Sequence, residues 1–361
     1  MQAKRVRLSA VEATVTSIPF REGIEMPIGS FSALNHVIVR VATRDGLWGL
    51  GEVTVIPEFM GETLHEVLGA IHVLSSRLED SDLEGPAGVH AFIDRMLPKA
   101  RSARAAIDEA CHDIAGKRLG VPAWRLLGER CRERVDCTWT IGLKSAEATV
   151  EDAVAHHALG FRTFKIKVGN DDAVDLAKVR LVREALGPEV AIRLDANGAY
   201  APERALKVLE QLQAYDLEMV EQPCPALELD GAARLRRSLG VKVLADESVF
   251  SAADAKRVID AGAADLVNIK IQKLGGLLPA REVANIVEKA GLTCVVGSCL
   301  ETGPGVAASA HFAVSCRSAS LASDLSAGLQ LGVDSAAAAP FGDVGPTIRE
   351  PAGLGLGMVS C

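Results

Sequence analysis

The 361-residue sequence predicts an α/β protein: a (β/α) barrel with an α+β region in front of it. Three observations predict this. From about residue 135, short apolar β-branched runs alternate with alanine- and leucine-rich helical stretches. Those runs end, one after another, in charged residues. Residues 1 to about 125 lack the alternation and read as paired strands followed by helices.

In the front region, strand signals at 37–41 and 47–55 flank the turn Arg44-Asp45-Gly46. The glycine-rich stretch 46–52 lies between strand signals and opens no helix. A phosphate cradle needs that helix N-terminus, so these glycines read as hairpin geometry. Apolar residues three and four apart then predict helices near 61–78 and 101–119.

The barrel strands are predicted at 137–141, 163–168, 191–196, 218–221, 241–245, 265–270, 293–297 and 320–323. Helices such as 201–215 and 252–261 separate them. Near-continuous apolar strands alternating with helices indicate a parallel sheet buried on both faces, and eight such units over about 200 residues close a barrel. The C-terminal end departs from the repeat: 334–340 is alanine-rich and 351–358 glycine-rich. This segment is expected to return to the N-terminal domain.

Composition narrows the function. The net charge of −8 lacks the basic footprint of a nucleic-acid binder. Sparse aromatics, 4% of residues, argue against base-stacking surfaces. The eight cysteines form no C-x-x-C pair, which points to buried thiols in a reducing compartment rather than a zinc ribbon or disulfide framework. Residues 1–9 carry no apolar leader core, and no stretch of about 18 apolar residues spans a membrane. A cytoplasmic protein is expected.

Barrel active sites sit at the C-terminal ends of the strands. There the sequence places Lys165 and Lys167, Asp195 and Asn197, Glu221, Asp246 and Glu247, Asn268 and Lys270, Glu301, and Asp324 with Ser326. From Lys167 onward the charged positions step by 23 to 31 residues, one per βα unit. Such groups are costly at the ends of apolar strands unless paired or bound to an ion. Asp195, Glu221 and Asp246 lie on three successive strands. Three oxygen donors with no neighbouring His or Cys suit Mg²⁺ or Mn²⁺, and the plainer alternative is an ion-pair network with the lysines. Lys165 and Lys167 share one side of their strand, so like charge is expected to depress one of them toward the working range of a base. Lys270 faces the acids from across the ring. Lys273 is expected to stand outside it. His311, on an alanine-rich helical stretch, reads as packing.

These residues carry a resemblance. Asp45-Gly46 with Gly49 to Glu52, the K-x-K strand, D-x-N, E-Q-P, D-E-S, N-x-K, E-T-G and the final G-L-G-L-G together resemble the enolase superfamily, in the subgroup of muconate-lactonizing enzymes. The resemblance covers nearly the whole chain. It implies a modified TIM barrel, (β/α)7β, over 126–335, an α+β capping domain over 1–125, and a segment 336–361 completing the cap. It implies Mg²⁺ on Asp195, Glu221 and Asp246, with Lys167 and Lys270 as the acid/base pair and Lys165 tuning Lys167. Glu301 would hydrogen-bond a substrate carboxylate oxygen. Apart from the resemblance, Glu247 reads from its place beside Asp246 as standing behind the ligands, and Asn197 and Asn268 as orienting ligands or Lys270. The resemblance also implies a homo-oligomer, from dimer to octamer.

The implied chemistry is abstraction of the proton α to a carboxylate, through an enolate. Three outcomes compete: racemisation or epimerisation of an amino-acid derivative, muconate cycloisomerisation, and dehydration of the o-succinylbenzoate synthase type. Runs around 245–255, 296–301 and 310–313 resemble dipeptide epimerases, but these usually carry D-x-D after the last strand to bind a substrate ammonium. Asp324-Leu-Ser326 is closer to N-acylamino acid racemases, so an N-acyl amino acid or dipeptide-like carboxylate is the expected substrate. Ser298 and cap residues Met26, Ile28, Phe31, Phe59 and Met60 are the expected pocket liners. A catalytically silent carboxylate-binding barrel is the alternative of a different class.

Overall fold

The computed structural model describes residues 6–79, 81–83, 85–332 and 345–358. The chain opens with three antiparallel strands, β1 (Val6–Met26), β2 (Gly29–Thr43) and β3 (Trp48–Val55), joined at one edge by β4 (Asp82–Leu83) in the order β3-β2-β1-β4. Helices α1 (Pro57–Met60), α2 (Leu64–Leu78), α3 (Gly85–Met96), α4 (Arg101–Leu119) and α5 (Trp124–Leu127) complete this part. A reciprocal capping box between Thr63 and Glu66 starts α2, and Gly120, at φ 67°, ends α4. The sequence pattern missed β1 because residues 12–17 are all exposed, so no buried alternation marks them.

The glycine-rich stretch has a second purpose besides the turn at Gly46. Gly49 and Gly51 face the backbone of α4, where a Cβ would fall 2.1 Å from the Ala110 carbonyl oxygen and 1.9 Å from that of Ala106. Only glycine lets β3 lie this close to α4.

The barrel follows. After β5 (Arg134–Asp136) come β6 (Trp139–Ile141), α6 (Ala146–Ala158), β7 (Thr163–Lys167), α7 (Asp172–Leu186), β8 (Ala191–Asp195), α8 (Pro202–Leu212) and β9 (Leu217–Glu221). The series continues with α9 (Leu229–Ser238), β10 (Lys242–Ala245), α10 (Ala252–Asp260), β11 (Leu266–Ile269), α11 (Ile271–Leu274), α12 (Leu277–Lys289), β12 (Thr293–Val296) and α13 (Gly303–Ser315). Strands β6 to β12 form one parallel sheet in chain order. The expected eighth strand at 320–323 is reduced to a bridge. Ser323 pairs with Cys137, and the Asp324 amide donates to the Val296 carbonyl, so this short stave joins β12 to β6.

Inside, Met219, Leu244, Leu266 and Val295 form a small apolar cluster, separate from the main core between strands and helices. Residues 345–358 run first along the barrel, where β13 (Thr347–Arg349) pairs with β5. They then reach the cap, where the Leu356 amide donates to Asp113 on α4. The alanine-rich stretch 334–340 lies outside the described residues. Among the described residues no helix is long and apolar enough to cross a membrane.

Candidate active site

Strand periodicity aims the charges. Residues two apart share a face, so Lys165 and Lys167 on β7 and Asp195 on β8 project together, above the interior cluster to which Met219 belongs. Backbone register sets Lys167 beside Asp195 and Asp195 beside Glu221. Asp246 directly follows β10, and Lys270 directly follows β11. All six are buried.

The acids and ammonium groups interlock. Lys165 Nζ donates to Asp324 Oδ2 at 2.5 Å and Glu221 Oε2 at 3.2 Å, with Asp195 Oδ2 at 3.5 Å. Lys167 Nζ donates to Asp195 Oδ2 at 2.7 Å and to Asn197 Oδ1 at 2.6 Å. On the far side Lys270 Nζ pairs with Asp246 Oδ2 at 2.7 Å and lies 4.2 Å from the centre of the Phe59 ring. Asn268 Nδ2 holds Glu221 Oε1 at 2.7 Å, and Asn197 Nδ2 holds Glu247 Oε1 at 2.8 Å.

The acids dominate the electrostatics at Lys165 and Lys270. Burial opposes charge on Lys165, but Asp324, Glu221 and Asp195 outweigh it and hold the ammonium well above the ordinary lysine range. Asp246 does the same for Lys270 against burial. At Lys165 the neighbouring acids therefore set the direction. Asp246 is held low, against burial, by Lys270 and Lys273. Glu221 is pushed up to about 8 by burial and by Asp195, and Glu247 to about 7 by burial and Asp246.

Among the described residues no three His, Cys, Asp or Glu side chains already close on one metal-sized point. Each acid is turned onto an ammonium or amide instead. The donor set still fits a hard divalent cation. It offers oxygen alone from three consecutive staves.

A cavity of about 70 Å³ sits over these groups. Its walls include Lys165, Lys167, Asp195, Asn197, Lys270, Ser298, Asp324 and Ser326 from the barrel, and Met26, Ile28 and Phe59 from the cap. Two of the expected metal ligands, Glu221 and Asp246, are not part of its lining, and neither are three expected catalytic or substrate-binding residues. Phe31 packs on the apolar cluster of Ile18, Phe20 and Ile24, Met60 is the buried last residue of α1, and Glu301 lies behind Cys299, accepting its amide at 2.6 Å. A larger crevice of about 520 Å³ between residues 20–24 and α6 adjoins the cavity through Ile24, Thr140 and Gln330.

Two contributors were not visible in the sequence. Lys273, fully buried, donates to Asp246 Oδ1 at 2.6 Å and to the carbonyls of Asp246 and Asn268. The short helix α11 folds it back beneath the rim, and its i+3 spacing from Lys270 is the only signal. Glu52 of the cap accepts from the Thr302 amide (2.8 Å), the Thr302 hydroxyl (2.6 Å) and the Gly305 amide (3.1 Å), and bonds His36 Nδ1 at 2.9 Å. It caps α13 from another domain and so ties down the loop carrying Ser298 and Glu301.

This architecture has known counterparts. Residues 147–360 match the family model described as enolase C-terminal domain-like, and residues 10–128 match the mandelate racemase / muconate lactonizing enzyme N-terminal domain. The chain belongs to the mandelate racemase / muconate lactonizing enzyme family of the enolase superfamily. Relatives within it differ in reaction. The hydrophobic dipeptide epimerase of Enterococcus faecalis is 33% identical over 97% of this chain and 99% of its own length. The crystal structure of that organism's dipeptide epimerase, complexed with Mg and L-Leu-L-Tyr, superposes with a TM-score of 0.92 at 32% identity, covering 98% of this chain and 100% of that one. N-succinyl-L-Arg/Lys racemase of Bacillus cereus is 31% identical over 86% of this chain and 85% of its own. Muconate cycloisomerase 1 of Rhodococcus opacus is 35% identical over 84% and 83%. The family's fold is the modified TIM barrel with an N-terminal capping domain seen here.

Proposed function

We propose that this chain is a racemase or epimerase that removes and returns the proton α to a carboxylate of an N-acyl amino acid or dipeptide-like substrate. One observation carries the reading. Lys167 and Lys270 line the same cavity four staves apart in an eight-stave ring, with the three acids on the staves between them. A carbon held between them presents opposite faces to the two amines.

Asp195, Glu221 and Asp246 would hold Mg²⁺. When bound, the ion supplies positive charge that stabilises the negative charge growing on the substrate carboxylate. The chain's own residues do the rest. Lys167 and Lys270 take the proton on one face and deliver it on the other. Each is now paired with an acid of the proposed cage, so a lysine becomes a base once that acid is engaged elsewhere. Lys165 contacts the carboxylate end. Glu301, pushed up to about 7 by burial, stands behind the cavity and holds the loop that carries Ser298 by accepting the Cys299 amide.

The last stave supports a substrate with an uncharged nitrogen. Asp324 Oδ2 is occupied by Lys165, and Ser326 Oγ donates to the Thr138 carbonyl at 2.6 Å. Asp324 Oδ1 has no hydrogen-bond partner, but its carboxylate is already shared with Lys165, and Ser326 adds no second anion for an ammonium group. Incubating N-acyl amino acids and dipeptides with enzyme and Mg²⁺ in D₂O tests the proposal. Uptake of α-deuterium with loss of optical rotation is expected, and no uptake from any of them would refute it. The likeness to muconate cycloisomerase 1 keeps lactonisation as the second reading, for which one lysine suffices. Loss of the ultraviolet absorbance of cis,cis-muconate would favour it.

A further inference from the structure

The two proposed bases are held by different means. Lys270 has one carboxylate and an aromatic face, whereas Lys167 has a carboxylate and an amide oxygen. That amide belongs to Asn197, which sits in left-handed backbone at φ 43°, a region asparagine tolerates better than most residues. Its own backbone N–H donates to Asp195 Oδ1 at 3.0 Å, pinning it to the cage.

The amide has one admissible orientation. An ammonium only donates and a carboxylate only accepts. With Lys167 on one side and Glu247 on the other, Oδ1 must face the lysine and Nδ2 the glutamate. Glu247 spends one oxygen on this bond, and its other oxygen is buried without a hydrogen-bond partner. Glu247 does not line the cavity, so it acts through Asn197.

We propose that Asn197, oriented by Glu247, positions Lys167 and thereby governs proton transfer on the Lys167 face of the substrate alone. This rests on the racemase or epimerase reading. Among the described residues Lys270 shares no hydrogen bond with Asn197 or Glu247 and meets Glu247 only through charge, so its face does not depend on the amide contact.

The test follows α-proton exchange in D₂O by NMR, starting separately from each enantiomer of an N-acyl amino acid, with saturating Mg²⁺. Wild type, Asn197→Ala, Glu247→Leu and Glu247→Gln are compared. Losing a hydrogen bond to a charged group is expected to slow exchange from one enantiomer roughly tenfold to a hundredfold in Asn197→Ala and Glu247→Leu. Exchange with retention from the other enantiomer stays within about threefold of wild type. Glu247→Gln keeps an acceptor for Nδ2 and restores exchange on the Lys167 face. Equal slowing from both enantiomers, or a Gln variant as poor as the Leu variant, would overturn the proposal. Crystal structures of the metal-free variants give a second readout. In Glu247→Leu the Asn197 amide should turn and Lys167 Nζ lose that contact, and an unmoved amide overturns the proposal. A wild type inert toward every substrate would sink the reaction reading instead, while the structures still decide the positioning claim.

Discussion

Replacing Glu301 with glutamine should make the protein more stable at high pH and leave it unchanged at low pH. Glu301 is 2% exposed, and burial, reinforced by Glu52, raises its carboxyl to about 7 from an ordinary 4.5. A carboxyl raised by folding binds its proton more tightly in the folded chain. Its contribution is therefore most favourable below about 4.5 and is lost as pH rises through about 7. At roughly 1.4 kcal/mol per pH unit, ionising it in place costs about 3 kcal/mol. Glutamine has the shape of the protonated acid, and its oxygen can still accept the Cys299 amide. Glu109 is also raised well above its ordinary range by burial and in part by Glu301, and losing that repulsion in the variant shifts the difference in the same direction. Thermal unfolding in EDTA from pH 5 to 8.5 measures the effect. The curves should meet near pH 5, and the variant should gain several degrees by pH 8.5. Curves that stay parallel across the range would refute the reasoning.

Other outcomes follow from the same contacts. Glu52→Leu strands the amides of Thr302 and Gly305 and the Thr302 hydroxyl, at about 1–3 kcal/mol each. Urea midpoints should show a loss above about 3 kcal/mol, and a loss below about 1 kcal/mol would mean the cap does not hold α13 this way. Calorimetric titration should find Mg²⁺ binding to wild type, and binding at least roughly tenfold weaker to Asp195→Asn. No binding by either protein would support a silent barrel. In Ser326→Asp the new carboxylate, repelled by the Thr138 carbonyl, turns toward the cavity. The ratio of kcat/KM for free-amine dipeptides over N-acyl amino acids should rise by roughly tenfold, and an unchanged ratio would remove the last stave from substrate choice.

What the sequence made legible is what repeats. Apolar strands ending in one charged residue per unit announce β7 to β12 because those strands are buried on both faces. The eighth stave was faint because Ser323 makes only a bridge. Strand β1 was hidden because its exposed middle carries no buried alternation. In the site, the residues at strand ends could be read from their position, but their partners could not. That Asp324 meets Lys165 across 159 positions, or that Glu52 reaches Thr302 across 250, is a product of tertiary closure. Phe31 and Met60 show the same limit. An apolar residue near the rim serves the cap's own core as readily as the cavity, and only coordinates separate the two.

The spread of reactions among relatives of similar identity, an epimerase at 33% and a cycloisomerase at 35%, has a structural basis in this chain. The groups proposed to move protons and hold charge sit on the staves, locked by buried pairings such as Asp195 with Lys167 and Asp246 with both Lys270 and Lys273. Changing one member strands a buried charge, which typically costs several kcal/mol. Phe59 lies against Lys270 Nζ, but the walls contributed by Met26 and Ile28 belong to the cap and carry no such coupling. They can be exchanged at little cost to the chemistry beneath. Substrate identity is thus written where substitution is cheap, and the shared proton-transfer step where it is expensive. The position that joins the two is the last stave, where Asp324 is bound into the charge network through Lys165 and Ser326, two residues on, is held only by one carbonyl.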